Sequence, residues 1–328
     1  MKKFGVIGLG NISVRHRRNL KKLYPKAEIL AMSASGRPIT NKPPYSDRVL
    51  LDTNDFINEG VEFAIVASPA TSHAEQAIPL IKAGIPVLIE KPVTADLDSL
   101  CELQKIMEVN ETPVAVGYCL RYLTSSSKLK KALGKKLIGN ITNIFIEVGQ
   151  YLPDWRPNKN FRQSVSAKLS LGGGALLELS HELDYLQWLF GPCKVEHAVI
   201  RSSDSLSLEV EDIADLFLRT EDGAVVVVHL DFIQRKPRRF CSILGDEGRL
   251  DWDLLANEVT LHDSTGSSQL FSDTKSDHNE MYMNMLKDFT LFIKGEKNRC
   301  VLFSEAKATI ELIEAIKTKH PKLEGGSY

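Results

Sequence analysis

Cysteine is scarce: Cys101, Cys119, Cys193, Cys241 and Cys300 are scattered singly along 328 residues, an odd number with no CxxC pair and no zinc spacing. That excludes a disulfide framework and fits reduced thiols in a cytoplasmic protein. Long hydrophobic runs are missing as well. The opening "MKKFGVIGLGNIS" has two lysines, but its apolar run is short and broken by glycine, so neither a signal peptide nor a membrane span is expected. Charge of one sign is not in excess either. Lysine and arginine total 41 against 42 acids, a net charge of -1, which gives no global pull toward nucleic acid or an anionic membrane. No nucleic-acid recognition motif, internal repeat or low-complexity tract stands out, and only the tail "LEGGSY" is expected to be loose.

What the chain does have is length and a regular texture. A hydrophobic fraction of 43% and a charged fraction of 25% are those of a globular protein, and 328 residues are more than one ordinary core accommodates, so two domains are expected. Up to about Arg121, short uniformly apolar runs ("FGVIGLG", "AEILAMS", "EFAIVASP", "PVLIEKP", "PVAVGY") alternate with amphipathic stretches, including a basic helix through Leu20 and one from His73 to Ala83. Such runs suit a parallel sheet covered on both faces by helices, a doubly wound α/β domain over 1–121. Beyond it, "NITNIFIEVGQY", "CKVEHAVIRS", "DIADLFLRT", "AVVVVHLDF" and "RRFCSILG" follow one another across the turns "EDG" and "GDEG". Strands without intervening helices predict an antiparallel sheet in a second domain, 122–328, with helices near 174–190, 279–294 and 304–319 lying against it.

The first strand runs into Gly8 and Gly10, with Ser13 where a dinucleotide fingerprint places a third glycine. The two glycines allow a tight turn and close backbone approach to a pyrophosphate, which would sit with Asn11 and Ile12 at a helix N-terminus. A plain turn uses glycine in the same way, so the position at the start of a βαβ unit is what favours dinucleotide binding. About twenty residues on, NAD-binding domains offer an acid to the adenosine ribose. Here the stretch is "LAMSASGRP", with Ser33, Ser35 and Arg37 and no carboxylate, which leans toward NADP over NAD, although Arg37 alone reads equally as a solvated loop residue.

"VLIEKPVT" sets Glu90, Lys91 and Pro92 at the end of a buried strand, aiming Lys91 toward the crevice where open α/β sheets bind ligands. The glycine loop, "ASPATSH" (67–73), "EKP" (90–92), "VGYCLRY" (116–122) and "GGGALLELSHELD" (172–184) occur in one order. In this the chain resembles, over nearly its full length, the glucose-fructose oxidoreductase, inositol dehydrogenase and MocA family. The resemblance implies an N-terminal Rossmann domain and a C-terminal α/β domain with a large, mostly antiparallel sheet. It implies homodimers or homotetramers through that sheet's face, and hydride transfer between a sugar or cyclitol hydroxyl and nicotinamide. It places Ser68, Pro69, His73, Glu90 and Lys91 with the cofactor, gives Lys91 the orienting of the reacting hydroxyl, and gives His181 the general acid/base role.

His181 has Tyr185 where a zincin helix needs a second histidine, so no metal site is expected. On a continuous helix, Leu176, Leu179, Leu183, Leu186 and Phe190 make an apolar stripe, and His181 lies opposite them with Glu178, Asp184, Tyr185 and Trp188. This face reads as a polar cleft, or else as a second packing face. Glu178 and Asp184 flank His181 three residues away on either side, and either can hold its tautomer. Many family members carry an aspartate four residues before the histidine; here that position is Leu177. The glycines 172–174 would let the chain pass close to cofactor or substrate.

"YLPDWRPNKNFRQSVSAK" gathers Arg156, Lys159, Arg162 and Lys168 around Trp155 and Phe161, and Arg121 and Tyr122 follow the last Rossmann strand. These residues suit a carboxylate or phosphate clamp, or equally a solvated basic loop. The expected substrate is an anionic sugar: a nucleotide-activated sugar, a sugar acid or a nonulosonic acid. The alternatives are an epimerase or lyase that keeps NAD(P) bound for transient oxidation, and a non-catalytic dinucleotide sensor, which would not need both Lys91 and His181.

Overall fold

The computed structural model describes residues 1–275 and 277–320, so the tail "LEGGSY" lies outside the described residues. The described residues form two compact units, 1–119 with 279–310, and 120–278 with 311–320. In the first, the strands are β1 (Lys3–Ile7), β2 (Glu28–Met32), β3 (Arg48–Leu50), β4 (Phe63–Val66), β5 (Val87–Ile89) and β6 (Val114–Val116). The helices between them are α1 (Asn11–Leu23), α2 (Thr53–Glu59), α3 (His73–Lys82) and α4 (Leu97–Glu108). In the second unit, α5 (Thr124–Gly134), β7 (Ile141–Gly149), α6 (Ala175–Glu178) and α7 (His181–Phe190) precede the strands β8 (Cys193–Arg201), β9 (Ile213–Thr220), β10 (Val225–Asp231) and β11 (Arg238–Gly245). The hairpins continue through β12 (Gly248–Asp253), β13 (Glu258–Asp263) and β14 (Gly266–Ser272), and α8 (Asn279–Ile293), β15 (Val301–Leu302) and α9 (Phe303–Lys319) end the chain.

The first sheet has the order β15-β6-β5-β4-β1-β2-β3, parallel throughout except for β15, which runs antiparallel to β6. Strands β4, β5 and β6 are buried at every residue because helices cover both faces. Chain order reverses between β1 and β4, so the loop leaving β1 opens at the switch point where such sheets bind ligands.

Two sequence expectations are corrected here. The segment around 279–294 does not lie against the antiparallel sheet. It forms α8 in the first unit, where Phe289 packs edge-on to Phe63 at 5.3 Å and Thr290 bonds the Tyr24 hydroxyl at 2.8 Å. The second domain is accordingly not the continuous stretch 122–328, since residues 279–310 return to the first unit, and β15 adds an edge strand to its sheet. Aromatic complementarity decides this: Phe4, Phe63 and Tyr24 present a ring surface that α8 covers.

Among the described residues the second sheet has eight strands in the order β14-β13-β12-β11-β7-β10-β9-β8, all antiparallel except β7 with β10. One face is buried under helices: Trp252 of β12 donates its indole N–H to Ser125 of α5 and meets Tyr185 of α7 edge-to-face at 5.0 Å. The other face carries Phe145, Phe217 and Val227, exposed and paired across β7, β10 and β9. Among the described residues no helix is long and apolar enough to cross a membrane, and no cluster of at least three His, Cys, Asp or Glu could hold a metal ion.

Candidate active site

Gly8 adopts φ +111°, and a Cβ there would collide with the Ala67 carbonyl and with Ser13 Oγ, which donates to that same carbonyl at 2.9 Å. The glycine therefore seats β1 against β4, and Ser13 is the small residue that this contact admits. Gly10, the N-cap of α1, is different: nothing lies within 4 Å of an added Cβ, no side chain caps the helix, and its first turn has no acid. Asn11 is exposed and Ile12 half-buried beside these uncapped amides. A thirteen-residue helix with an open, acid-free N-terminus at the switch point fits a pyrophosphate.

At the end of β2, Ser33 is buried and its hydroxyl lies 3.2 Å from that of Ser35. Gln76 of α3 holds this loop by donating to the Ala34 carbonyl at 2.8 Å, and it accepts from Ser68 Oγ at 2.7 Å. Arg37 is exposed. His73 is a packing residue: it is 1% exposed, and its two ring nitrogens lie 2.9 Å from the Pro92 carbonyl and 3.0 Å from that of Ser68. Burial lowers its pKa. It ties the Ser68–Pro69 loop to the segment after Lys91.

Glu90 and Lys91 follow β5, with Lys91 partly exposed and joined to Pro92 by a cis peptide. Sequence reasoning missed what supports Glu90. His16, read as part of a basic helix, is fully buried and its Nε2 lies 2.6 Å from Glu90 Oε1. Arg17 is buried too, donating to the Gly8 carbonyl at 3.0 Å and the Pro44 carbonyl at 2.9 Å, and burial lowers its pKa to about 10. The signal for both was the place of His16 and Arg17 on α1 beside Leu20, the face turned to the sheet.

In the second unit the expected continuous helix over 174–190 is broken. α6 ends at Glu178, and α7 begins at His181 after Leu179 and Ser180. The stripe geometry therefore does not hold across the break, and residues 181–186 are all buried, so α7 packs on both faces. Tyr185 is core, 1% exposed against Trp252, with its hydroxyl pKa raised by burial, which fits the second packing face rather than the polar cleft. Asp184 receives a two-point contact from Arg121, at 3.0 and 2.7 Å, so these two expected site residues are brought together as a buried ion pair. Glu182, not singled out from sequence, is likewise gripped by Arg239 at 2.7 and 2.8 Å. His181, 9% exposed, thus opens a helix whose first turn is fixed by two guanidinium forks. Glu178 is half-buried as the last residue of α6, and Tyr122 is buried in the turn that presents Arg121.

The glycines before α6 serve their own unit. A Cβ on Gly173 would meet the Val165 and Ser166 carbonyls, and one on Gly174, at φ +107°, would enter the Glu211 carboxylate. Close packing requires glycine at both positions. The preceding loop encloses a cavity of about 380 Å³ whose lining includes Trp155, Arg156, Lys159, Phe161 and Ser164. Trp155 is held by its N–H on the Gln150 carbonyl at 3.2 Å and by Phe232. Among the described residues no carboxylate pairs with Arg156 or Lys159, and Ser164 Oγ is buried without a hydrogen-bond partner. Arg162 is exposed, lies over the Phe161 ring at 4.6 Å and is not part of the lining, while Lys168 pairs with Glu209 at 3.6 Å.

Comparison with known proteins agrees with this geometry. Residues 2–118 match the "Oxidoreductase family, NAD-binding Rossmann fold", and residues 126–251 match the "GFO/IDH/MocA C-terminal domain". The rhizopine catabolism protein MocA of Rhizobium meliloti is 22% identical, over 95% of this chain and 93% of that protein. Levoglucosan dehydrogenase, solved with NADH and levoglucosan, superposes with a TM-score of 0.82 at 18% identity, over 97% of this chain and 96% of that one. The WlbA dehydrogenase from Bordetella pertussis, solved with NADH and UDP-GlcNAcA, gives 0.78 at 19% identity, over 97% and 95%. The chain belongs to the glucose-fructose oxidoreductase, inositol dehydrogenase and MocA family of NAD-binding oxidoreductases.

Proposed function

We propose that this oxidoreductase moves a hydride between nicotinamide and a hydroxyl-bearing carbon of an anionic sugar: a nucleotide-activated sugar, a sugar acid or a nonulosonic acid. The observation that favours an anion is the cavity lined by Arg156, Lys159 and the unpartnered Ser164 hydroxyl, cations and a donor with no acid of their own. Trp155 and Phe161 offer flat apolar walls for the uncharged part of the same ligand.

When bound, the dinucleotide supplies the hydride acceptor; the chain's own residues bind, orient and move the proton. The open N-terminus of α1 holds the pyrophosphate with Gly10, Asn11 and Ile12. Ser33, Ser35 and Arg37, with no carboxylate beside them, favour a 2′-phosphate and hence NADP. Lys91 orients the reacting hydroxyl, and His181 accepts its proton. Glu178 is kept as the acid partner of that role, whereas Asp184 is assigned to holding Arg121. The exposed stripe of Phe145, Val227 and Phe217 favours self-association through the second sheet.

Replacing Arg156 and Lys159 together with alanine tests the anionic reading. The KM for an anionic substrate should rise at least about tenfold while kcat changes little, since each lost charge-assisted contact is worth about 1.5–3 kcal/mol. Equal turnover of neutral cyclitols by parent and variant, with no anionic sugar turned over, overturns it. Substrate-dependent accumulation of reduced cofactor separates the dehydrogenase from an epimerase, which returns the hydride.

A further inference from the structure

The pair His16–Glu90 is unused by the chemistry above, and its geometry points to a role toward the cofactor. Glu90 is 6% exposed and fixed at both oxygens: Oε1 faces His16 Nε2 at 2.6 Å, and Oε2 accepts the backbone N–H of Lys91 at 3.2 Å. Gly117 closes the third side, where a Cβ would stand 3.1 Å from the carboxyl group. The other ring nitrogen of His16, Nδ1, is buried and has no hydrogen-bond partner among the described residues.

That orphan nitrogen fixes the tautomer. An imidazolium would bury a charged N–H with nothing to accept it, which costs far more than burying a bare lone pair. His16 is therefore neutral, with its proton on Nε2 donated to Glu90, and the pair carries one uncompensated negative charge. Among the described residues no lysine or arginine, Lys91 included, makes an ion pair with Glu90. Tyr282 of α8 meets the His16 ring edge-on at 6.3 Å, with its hydroxyl kept protonated by burial and bonded to Cys119, so it brings no charge. Arg15 lies over the Tyr282 ring at 4.5 Å, and Arg17 is spent on the Gly8 and Pro44 carbonyls.

Glu90 stands at the carboxyl end of β5. In this sheet order the β1-β2-β3 half receives the adenosine, which leaves the β4-β5-β6 half for the nicotinamide. We propose that the His16–Glu90 pair is a fixed negative charge serving the nicotinamide half of the crevice. It favours the cationic, oxidised ring over the neutral, reduced one, and His16 is the positioning residue that holds the carboxylate in place. The inference rests on the dinucleotide reading given above.

Equilibrium titration with NADP+, NADPH and 2′-phospho-ADP-ribose, which lacks the nicotinamide, tests it without turnover. Glu90→Gln keeps the shape and removes the charge. It should weaken NADP+ about tenfold while leaving NADPH and 2′-phospho-ADP-ribose within about twofold of the parent. His16→Gln, which keeps a donor facing Glu90, should preserve the NADP+ to NADPH ratio. Equal weakening of all three ligands by Glu90→Gln, or an unchanged ratio, overturns the proposal. So does a His16→Gln variant with increased NADP+ preference, because that would mean the parent imidazole is charged. The same titration with NAD+, NADH and ADP-ribose serves if the parent prefers NAD, and failure of the parent to bind any of the six refutes the dinucleotide reading itself.

Discussion

A histidine's meaning depends on what its two nitrogens face, and this chain offers three outcomes. His73 sits between two carbonyls and is a buried pin, His16 holds a carboxylate, and His181 opens α7 at the margin of solvent. Sequence spacing speaks only to a zincin pair at His181, which is a count of residues. It did not separate His73 or His16 from ligands and solvated bases, since burial is set by residues far along the chain, Pro92 for one and Glu90 for the other. If His181 accepts the hydroxyl proton, His181→Asn should lower kcat at least about a hundredfold, the contribution of a general base, with the cofactor dissociation constant unchanged. Near-normal kcat would remove the assignment.

At the scale of elements, strands were more legible than helix continuity. The runs "EFAIVASP" and "PVLIEKP" have unbroken apolar centres, "FAIV" and "VLI", which became β4 and β5, buried at every residue. The stretch 174–190 has helical periodicity throughout, yet breaks at Leu179–Ser180: α6 starts from Gly174, wedged against Glu211, and α7 is anchored separately. The anchors are Arg121 on Asp184 and Arg239 on Glu182, tertiary partners that no local pattern announces. Arg239→Ala leaves Glu182 buried without its partner and should lower stability by about 3 kcal/mol in denaturant unfolding. Glu182→Leu with Arg239→Met should cost much less. Equal losses in the two variants would show that shape, and not the stranded charge, sets the cost.

Over the whole molecule, the two-domain division was readable from the change of texture after the last parallel strand. The return of α8 and β15 to the first unit was not, because an amphipathic helix does not specify which sheet it covers. The outer face of the second sheet carries a charge network that also required the fold to assemble. His229 lies 2.6 Å from Asp215 and 3.0 Å from Asp231, which raise its pKa to about 9. Because this folded-state value lies above the ordinary 6.5, the contribution to stability is complete below about pH 6.5 and disappears as pH rises through about 9. The effect is modest, since the ring is partly exposed. Melting temperature should therefore fall between those pH values more in the parent than in His229→Gln; parallel profiles would contradict the pairing. Replacing Phe145 and Phe217 with serine should shift sedimentation toward the monomer, whereas an unchanged sedimentation coefficient would remove the sheet face as the interface.

The most direct measurement mixes the purified protein with NADP+ or NAD+ and a panel of nucleotide sugars, sugar acids and neutral cyclitols, following the absorbance of reduced nicotinamide. Reduction that requires an anionic sugar, is faster with NADP+, and is lost in both Lys91→Met and His181→Asn is the predicted result. Reduction that persists undiminished in both variants would contradict the account.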